Sequence, residues 1–388
     1  MKILMTLESS FPPDKRVENE IDALLEEGFE VHIICIGTER SSNSAYYKTA
    51  HIHRIYPVSL IRKSSVAALK IPVYFIYWKL KLKRLLQDHS FDVVHIHDLP
   101  LIKPILQLRK EYKFKVVLDL HENWPGLLGI SPHTRTLASR LLCSIRQWKE
   151  YEKKYAGRAD KLIVVVEEAK ERLMKFRVPE NKISIISNTL NIEEFISAAG
   201  SGKRPGGKKI FIYEGGITYH RGIQYVLMAF SHLRTRHAES GLWIIGKGSY
   251  LNNLKKLSKE LDLGHIVKFF GWQAQDKVFK LVNEADIALI PHIKSEHTDT
   301  TVPHKLFHYM YAGIPVLASD CKPVERIIKE TSAGVIYRYD DTTELAKIIE
   351  HILNDDSYIN EPGGKEWVIN KYNWSRDREQ LKALYRYL

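Results

Sequence analysis

The sequence predicts an α/β protein with two Rossmann-like domains, each a doubly wound parallel sheet, facing a common cleft. Its 388 residues exceed what one hydrophobic core usually holds. Short β-branched runs alternate with helical patterns in two successive sets, as in parallel sheets covered by helices on both faces. Between the two sets, Ser197–Lys209 is rich in glycine and cations, which is typical of a linker or an exposed loop.

Six strands are predicted in each half of the chain. The first six are Ile3–Leu7, Val31–Ile36, Val93–Ile96, Val116–Leu120, Leu162–Val166 and Ile183–Ile186. The second six are Ile210–Tyr213, Leu242–Ile245, Val267–Phe270, Ile287–Ile290, Pro315–Ala318 and Gly334–Tyr337. We expect an N-terminal domain over residues 1–190 and a C-terminal domain over residues 191–366. A helical segment over residues 367–388 follows, and one arrangement packs it back on the first domain.

Composition and cysteine usage indicate a folded protein from a reducing compartment. Hydrophobic residues make up 44% and charged residues 27% of the chain, which is ordinary for a globular protein. The three cysteines, Cys35, Cys143 and Cys321, fit neither a disulfide framework nor a zinc site with paired ligand spacing. The first apolar run is too short for a signal peptide, and no apolar run is long enough to cross a membrane. We therefore expect a cytoplasmic protein.

Positive charge is concentrated in one part of the first half. The net charge is +12, and between His51 and Lys115 there are 13 Lys or Arg against 4 Asp or Glu. Within this region, Ile61–Leu86 mixes cations with aromatic residues, as helices at a membrane interface do. A core helix with a solvated basic face explains the same composition, so both interpretations stay open. No nucleic-acid-binding module accompanies the charge, so peripheral association with an anionic membrane is favoured over nucleic-acid binding.

The segment Thr300–Asp320 predicts an anion site. It follows a buried strand and a polar loop, and it contains a helix start and then another strand. The free N–H groups and the dipole of a helix N-terminus both favour phosphate. Pro303 suits the first helical turn, where its missing N–H is not needed. Lys305 adds a positive charge at the same place.

This segment resembles the core signature of the family 4 glycosyltransferases in its residues Lys305, Tyr309, Met310, Gly313, Pro315 and Val316. The resemblance extends over essentially the whole chain and implies the GT-B fold of two Rossmann domains. It further implies transfer of a hexose from a UDP- or GDP-sugar, with retention of configuration, to a saccharide or lipid-linked saccharide. Such acceptors belong to capsule, exopolysaccharide or lipopolysaccharide synthesis, and the enzyme would work in the cytoplasm or at the inner face of the membrane.

The resemblance places the nucleotide-sugar donor against the second domain. Arg221 matches one of two family cations that hold the diphosphate, whereas Gly216 occupies the place of the other. We expect no obligatory metal or other cofactor, because no Asp-x-Asp pair suited to magnesium is apparent there. The predicted donor-binding residues are Gly215, Gly216, Gly246, Gly248, Glu296, Asp299, Thr300, Thr301, Val302 and His308.

The chain departs from the family at two acidic positions. Family members commonly carry two glutamates eight positions apart, which touch the donor sugar and the ribose; here these positions match Thr300 and His308. His308 can hydrogen-bond a ribose hydroxyl, but a helix histidine satisfied by its neighbours is an open alternative. Glu296 and Asp299, in the preceding loop, are either the missing carboxylate or solvated loop acids.

By the same resemblance, His121 and Glu122 match the position whose histidine lies near the donor sugar. With Arg221 and Lys305 they are the predicted catalytic residues. The family is thought to use the leaving phosphate to deprotonate the acceptor, so His121 is expected to position the sugar more than to transfer protons.

Polar residues just past buried strands also supply candidates on the acceptor side. His97 and Asp98 end one strand, and Arg16 follows the first strand. Arg16 is equally consistent with a surface ion pair to Glu20, four positions further along a helix.

Two other functions stay open. A nucleotide-sugar epimerase of the same fold would also use paired Rossmann domains, although the Lys305–Val316 signature argues against it. A non-catalytic, donor-binding scaffold subunit would account for the missing acidic pair.

Overall fold

The computed structural model describes residues 1–38, 42–131, 134, 142–187, 189–198, 207–233, 240–355, 358 and 363–388. They form two compact units. Unit 1 comprises Met1–Ser187 and Asp377–Leu388, and unit 2 comprises Asn188–Arg376. Most of the predicted linker, residues 199–206, lies outside the described residues.

Unit 1 is built on an eight-stranded sheet in the order β3-β4-β2-β1-β5-β6-β7-β8. Its strands are β1 (Lys2–Leu7), β2 (Glu30–Ile36), β3 (Ser44–Tyr47), β4 (Ala50–Ile55), β5 (Val93–His97), β6 (Lys115–Leu120), β7 (Lys161–Val164) and β8 (Ile183–Ile185). Its helices are α1 (Lys15–Glu26), α2 (Ser59–Lys63), α3 (Val73–Asp88), α4 (Ile102–Tyr112), α5 (Trp124–Ile130), α6 (Ile145–Tyr155) and α7 (Glu167–Lys175). All neighbouring strands pair in parallel except β3, which runs antiparallel to β4.

Unit 2 is built on a six-stranded, fully parallel sheet in the order β11-β10-β9-β12-β13-β14. Its strands are β9 (Lys209–Glu214), β10 (Ser240–Ile245), β11 (Val267–Gly271), β12 (Ile287–Ile290), β13 (Val316–Ser319) and β14 (Gly334–Tyr337). Its helices are α8 (Ile192–Ala198), α9 (Ile223–Leu233), α10 (Leu251–Glu260), α11 (Gln275–Glu284), α12 (Lys305–Ala312), α13 (Lys322–Thr331), α14 (Thr342–Asn354) and α15 (Gly364–Asn370). The last helix, α16 (Trp374–Arg386), begins in unit 2 and continues into unit 1.

Apolar side chains between sheet and helices form the core of each unit. In unit 2, Phe211 of β9 meets Phe230 of α9 edge-on at 5.2 Å, and Leu242, Ile244 and Ile349 belong to the same buried cluster. Burying one such side chain stabilises the fold by about 1.5–3 kcal/mol. The near-continuous apolar runs that predicted parallel sheets include the central strands β1, β5, β12 and β13, which are buried on both faces. The predicted fold class is confirmed.

The strand order reverses at one point in each sheet and thereby positions the loops. In unit 1, β1 lies between β2 and β5; in unit 2, β9 lies between β10 and β12. Loops that leave the carboxyl ends of strands on either side of such a point diverge and leave a crevice for a ligand. The loops after β1 and β5, and those after β9 and β12, are therefore where functional side chains are expected.

The structure corrects the sequence prediction in two places. It adds β3, at the edge of the sheet, and its neighbour β4, neither of which has a near-continuous apolar run. The predicted helical segment Ile61–Leu86 is interrupted: α2 and a 3-10 turn, Ser64–Ala67, precede Pro72, after which α3 begins. Within the described residues, no helix combines the length and the apolar character needed to cross a bilayer.

Candidate functional site

Two glycine turns in unit 2 pack directly against each other. β9 is followed by Gly215 and β10 by Gly246, both with a left-handed φ, of 121° and 135°. The Gly215 N–H donates to the Ile245 carbonyl oxygen at 3.0 Å. A Cβ added to Gly246 would lie 1.9 Å from the oxygen of Gly215, and one added to Gly248 would lie 2.0 Å from that of Ile217. The backbones of the two turns are therefore in direct contact, and neither Gly246 nor Gly248 has space for a side chain.

The ammonium of Lys305, the first residue of α12, lies beside these turns. Its Nζ is 3.7 Å from the ring centroid of Tyr213, and a Cβ on Gly215 would be only 2.9 Å from Nζ. The side chain is buried, and within the described part of the chain Nζ has no hydrogen-bond acceptor. Burial lowers the pKa of Lys305 to about 7; Glu214 opposes this shift and Arg221 adds to it. The protonated form therefore lacks an anion.

Arg221 is held by the loop that follows β12. It ends a 3-10 turn, and its Nη1 donates to Nε2 of His292 at 3.2 Å. Burial and the neighbouring cations keep the pKa of His292 well below its usual range, so the ring is neutral and accepts this bond. Gly222, with a φ of 71°, follows Arg221, and a Cβ there would lie 1.6 Å from the oxygen of Pro291. The turn after β9 is thus locked against the loop after β12.

His308 of α12 pairs with a carboxylate that the sequence analysis missed. Its Nδ1 lies 3.2 Å from Oε1 of Glu214, the last residue of β9, and its ring stands edge-on to Phe279 at 5.0 Å. Burial raises the pKa of Glu214, but the hydrogen bond from His308 and the nearby cations outweigh it and leave the pKa below its usual value. Glu214 could have been found in the sequence as a polar residue at the end of a buried strand.

The loop before α12 uses its own side chains to hold its backbone. Thr300 donates to the carbonyl oxygen of Glu296 at 2.8 Å, and Thr301 donates to that of His297 at 3.0 Å. Asp299 accepts from the N–H of Lys322 at 3.0 Å, at the start of α13. The structure therefore gives Asp299 a helix-capping contact.

The start of α12 differs from the sequence prediction. The helix begins at Lys305 with His304 as its N-cap, so Pro303 precedes the first turn instead of lying in it. The Pro303 carbonyl oxygen still accepts from Leu306 at 3.0 Å, and Val302 is buried. The N–H groups of the first turn consequently come from Lys305 onward, two positions later than expected.

In unit 1, a half-buried arginine, Arg16, contacts the ends of β5 and β6. Arg16 donates to Asp119 and also to Glu20 at 3.2 Å, and His97 lies 3.1 Å from Asp119 through its Nδ1. The predicted pair with Glu20 at helical spacing is present, but it lies largely out of solvent and not at the surface; an acceptor-side role of Arg16 stays a prediction. Burial would raise the pKa of Asp119, yet Arg16 and hydrogen bonds from His121 and His97 hold it well below its usual range.

Burial and the charge of Asp119 favour the protonated form of the second carboxylate, Glu20. Burial raises the pKa of Glu20 to about 8 despite the nearby arginine. Oε2 of Glu20 lies 3.7 Å from Nε2 of His95, which stacks on the ring of His97 at 4.5 Å. These four residues, Glu20, His95, His97 and Asp119, lie close enough to surround a metal ion. The Arg16 guanidinium already supplies positive charge to both of their carboxylates.

His121 and Asp98 form a second pair beside this arginine. Nε2 of His121 lies 3.2 Å from Oδ2 of Asp98, and its Nδ1 lies 3.5 Å from Oδ2 of Asp119. Burial and Arg16 lower the pKa of His121, but the two carboxylates outweigh them and raise it to about 9. Burial raises the pKa of Asp98 to about 6. His121 is therefore a cation at neutral pH. Asp98, which pairs with it, has a left-handed backbone φ of 70°.

Glu122 and Glu8 border this pair. Glu122 is half-buried and lies between His121 and Asn123, whose side chain caps α5 by accepting from Gly126 at 3.0 Å. Glu8 directly follows β1, and burial raises its pKa to about 8, with Asp98 adding to the shift. Sequence analysis did not single out Glu8, because a lone acid after the first strand carries no distinctive pattern.

Family models match both halves of the chain. A model described as Glycosyltransferase Family 4 matches residues 15–194, and one described as Glycosyl transferases group 1 matches residues 197–367. The chain belongs to the family 4 glycosyltransferases. The predicted family and the predicted transferase activity are therefore confirmed.

Relatives of this glycosyltransferase cover most of its length. An uncharacterized glycosyltransferase of Methanocaldococcus jannaschii is 23% identical over 385 residues, which is 94% of this chain and 91% of that protein. The phosphatidyl-myo-inositol mannosyltransferase of Mycolicibacterium smegmatis is 24% identical over 312 residues, which is 79% of this chain and 73% of that protein.

Solved structures share its GT-B fold. Sucrose-phosphate synthase of Thermosynechococcus elongatus superimposes with a TM-score of 0.76 at 18% identity, covering 100% of this chain and 98% of that one. HepE of Anabaena, solved with UDP and glucose, superimposes with a TM-score of 0.68 at 14% identity and full coverage of both chains.

In this glycosyltransferase, the predicted residues fall into two groups, one in each unit. Unit 2 brings together Lys305, Arg221, His308 and the turns that contain Gly215, Gly216, Gly246 and Gly248. Unit 1 brings together Arg16, His97, Asp98, His121 and Glu122. The structure adds Glu214 to the first group and Glu8, Glu20, His95 and Asp119 to the second.

Proposed function

We propose that this glycosyltransferase moves a hexose from a UDP- or GDP-sugar to a saccharide or lipid-linked saccharide acceptor, with retention of configuration. The buried ammonium of Lys305 carries the proposal: it faces a turn that excludes side chains, and in the described residues Nζ has no acceptor. A diphosphate supplies the missing anion. The neighbouring charge of Arg221 suits the same ligand.

In this proposal, unit 2 stabilises the departing nucleotide diphosphate. Lys305 and Arg221 offset the negative charge that develops on the leaving group. The N–H groups of Leu306 and Phe307 donate to the carbonyl oxygens of Pro303 and His304, so this offset rests on the two side chains. No metal is needed for this step in the proposal. The His308–Glu214 pair offers a donor and an acceptor to the ribose hydroxyls, which is how a histidine replaces the usual glutamate.

The residues of unit 1 are proposed to handle the sugar and the acceptor. His121 is held between Asp98 and Asp119 and presents a fixed positive edge that orients sugar hydroxyls. Glu122 lies next to it, and Arg16 and His97 complete the acceptor side. The leaving phosphate takes the acceptor proton in this scheme, so His121 acts as a positioning residue.

Donor binding tests the proposal directly. UDP, GDP and a panel of their sugars are titrated calorimetrically into the wild type, Arg221→Gln and, as a control, the exposed Arg338→Gln. Losing charge-assisted hydrogen bonds of about 1.5–3 kcal/mol weakens the preferred donor about 10- to 100-fold in Arg221→Gln. Arg338→Gln should bind like the wild type.

Three outcomes contradict the proposal. They are the absence of binding and hydrolysis for every nucleotide sugar, equal affinity in Arg221→Gln and the wild type, and formation of a free epimerised nucleotide sugar without acceptor. Tight donor binding without transfer to any of many acceptors would favour the scaffold function instead.

A surface on unit 1 has the composition of a membrane-docking surface, which would bring the enzyme to a lipid-linked acceptor. Exposed apolar side chains cluster in the sequence around α2 and α3; they are Tyr56, Val58, Leu60, Ile71, Val73, Ile76 and Leu80. Val73, Ile76 and Leu80 share one face of α3 by helical spacing, and exposed cations, including Lys63, Lys70 and Lys81, accompany them. We call these residues the basic apolar surface. Its composition suits peripheral docking to an anionic membrane, at the inner face in this proposal.

Vesicle sedimentation tests the docking. The wild type should bind vesicles containing an anionic lipid better than neutral vesicles, and salt should weaken that binding. Replacing both Ile76 and Leu80 by Ser should weaken it further, whereas Ile369→Ser, an exposed apolar position in unit 2, should not. If vesicle binding depends neither on anionic lipid nor on the Ile76 and Leu80 substitutions, the proposed membrane docking is wrong.

A further inference from the structure

Four histidines gather on one face of unit 1, near the edge of its sheet. His32 lies on β2, and His51 and His53 lie two positions apart on β4, so they point to the same face. The parallel register sets His32 opposite His51, and their rings stack at 4.6 Å. His89, directly after α3, brings its ring to 5.2 Å from that of His32.

Three of these rings present nitrogens to a common point. His32, His53 and His89 each offer one ring nitrogen, and these atoms lie within 4.8 Å of one another. Nδ1 of His32 is 2.9 Å from Nε2 of His53. Zinc holds imidazole nitrogens at about 2.0–2.1 Å, which sets two tetrahedral ligands about 3.3 Å apart. The rings of His32 and His53 therefore need to separate by only a few tenths of an ångström, and the nitrogen of His89 lies within 4.8 Å of both.

The other ring nitrogen of His32 is already oriented by a carboxylate. Nε2 of His32 lies 2.9 Å from Oε1 of Glu30, which Lys2 holds in turn at 2.8 Å. Metal-binding histidines commonly donate their second N–H to a carboxylate, which fixes the tautomer and leaves the first nitrogen free to coordinate. Here that arrangement leaves Nδ1 of His32 facing His53.

The burial of the cluster suits a bound ion that is reached from solvent. His32 is buried, whereas His53 and His89 are half-buried. At pH 7.5 an ordinary histidine, with a pKa of about 6.5, is largely in the neutral form that coordinates metals. None of these residues belongs to the two groups described above, and the cysteine spacing of the chain gave no hint of them.

We propose that His32, His53 and His89 bind one divalent transition-metal ion, with zinc as the reference ion and Glu30 as a positioning residue for His32. Three protein ligands leave a fourth coordination position for water. The ion ties β4, which lies next to the edge strand β3, and the segment after α3 to β2. The site is independent of donor binding, so the two proposals stand or fall separately.

The test is metal binding by the full-length protein after treatment with a chelator. Zinc is titrated in competition with a chromophoric chelator, and cobalt(II) is titrated while its ligand-field absorption is recorded. We expect one equivalent of zinc and a cobalt spectrum typical of a tetrahedral site. His53→Gln and His89→Gln should each weaken zinc binding at least about 100-fold, and Glu30→Gln about 10-fold. His265→Gln, an exposed histidine in unit 2, should change nothing.

Thermal unfolding and far-UV circular dichroism establish that the variants fold, which is expected because His53 and His89 are only half-buried. Zinc should raise the unfolding midpoint of the wild type but not that of the His53→Gln/His89→Gln double variant. Lack of a stoichiometric zinc site in the wild type overturns the proposal. So does undiminished zinc binding in the double variant, which would place the ion elsewhere, for example at Glu20, His95, His97 and Asp119.

Discussion

The side chain of Lys305 is buried in unit 2, so its charged form is less stable than it would be in water. Burial lowers its pKa to about 7, and the charge of Arg221 works in the same direction. Tyr213 offers its ring face as partial compensation at 3.7 Å. Placing a diphosphate beside Gly215 would reverse the balance, because the ammonium would then gain an ionic hydrogen bond. The protonation of Lys305 should therefore be coupled to donor binding.

This coupling predicts proton uptake. In the free protein, Lys305 is mostly neutral at pH 8, above its pKa of about 7, and mostly charged at pH 6. A bound diphosphate raises that pKa, so UDP or GDP binding should take up nearly one proton at pH 8 and few at pH 6, and affinity should fall as pH rises above about 7. Calorimetry in buffers with different ionisation enthalpies measures the uptake.

Lys305→Gln and Arg338→Gln serve as test and control for that measurement. Lys305→Gln should bind the nucleotide weakly and without the proton uptake at pH 8, and Arg338→Gln should retain the uptake. Unchanged uptake in Lys305→Gln would assign the proton to another group and contradict the coupling.

At this scale, the sequence predicted cations better than carboxylates. Lys305 and Arg221 stand in patterned segments, so their neighbours in the sequence point to them. Glu214 gained its contact from a distant part of the chain, because His308 is 94 positions away. Burial, the main cause of the raised pKa of Glu20, and the approach of Glu20 to His95 likewise arise only in the fold. Such pairings depend on which strand ends the sheet order brings together, and no local pattern encodes them.

Among the elements, the twelve predicted strands are present, and their bounds agree within about two residues. They were predictable because each carries a short, mostly apolar run, and the central strands among them, such as β1, β5 and β12, are buried on both faces. β4 alternates histidine or arginine with apolar residues, and β3 is half-exposed at the sheet edge, so neither has a continuous apolar run. Helix starts were harder to place, since α12 begins at Lys305 although Pro303 offered an earlier start.

The two glycine turns after β9 and β10 predict a contrast between two alanine substitutions. In Gly248→Ala, the new Cβ would lie 2.0 Å from the backbone oxygen of Ile217, so the turns must separate. Such overpacking should lower the free energy of unfolding by about 1–3 kcal/mol and weaken donor binding. At Gly264, nothing lies within 4 Å of the added Cβ, so Gly264→Ala should leave both unchanged or slightly improved.

Urea unfolding and nucleotide titration of the two variants measure this contrast. Equal stability and equal donor affinity for Gly248→Ala and Gly264→Ala would mean that the close approach of the turns has no consequence.

At the scale of the whole molecule, unit 1 is discontinuous in sequence. The chain leaves it after Ser187, builds unit 2, and returns for Asp377–Leu388. On this returning segment Leu381, Leu384 and Tyr385 are buried, and Tyr385 hydrogen-bonds His95 of β5 at 2.7 Å through its hydroxyl. The sequence showed the helical spacing of this segment, but its partner depended on where the chain re-entered the fold.

A chain that ends at Arg376 should therefore lose stability in unit 1. Removing three buried side chains, each worth about 1.5–3 kcal/mol, and orphaning the ring of His95 destabilises unit 1 by several kcal/mol. Hydrogen exchange followed by mass spectrometry should show lost protection in β1, β5 and α1, with β9 and β12 protected as before. A chain that ends at Arg386 is the control, since it lacks only Leu388 and Tyr387, which is 83% exposed. Equal loss of protection in both units, or none in unit 1, would contradict the assignment of Asp377–Leu388 to the core of unit 1.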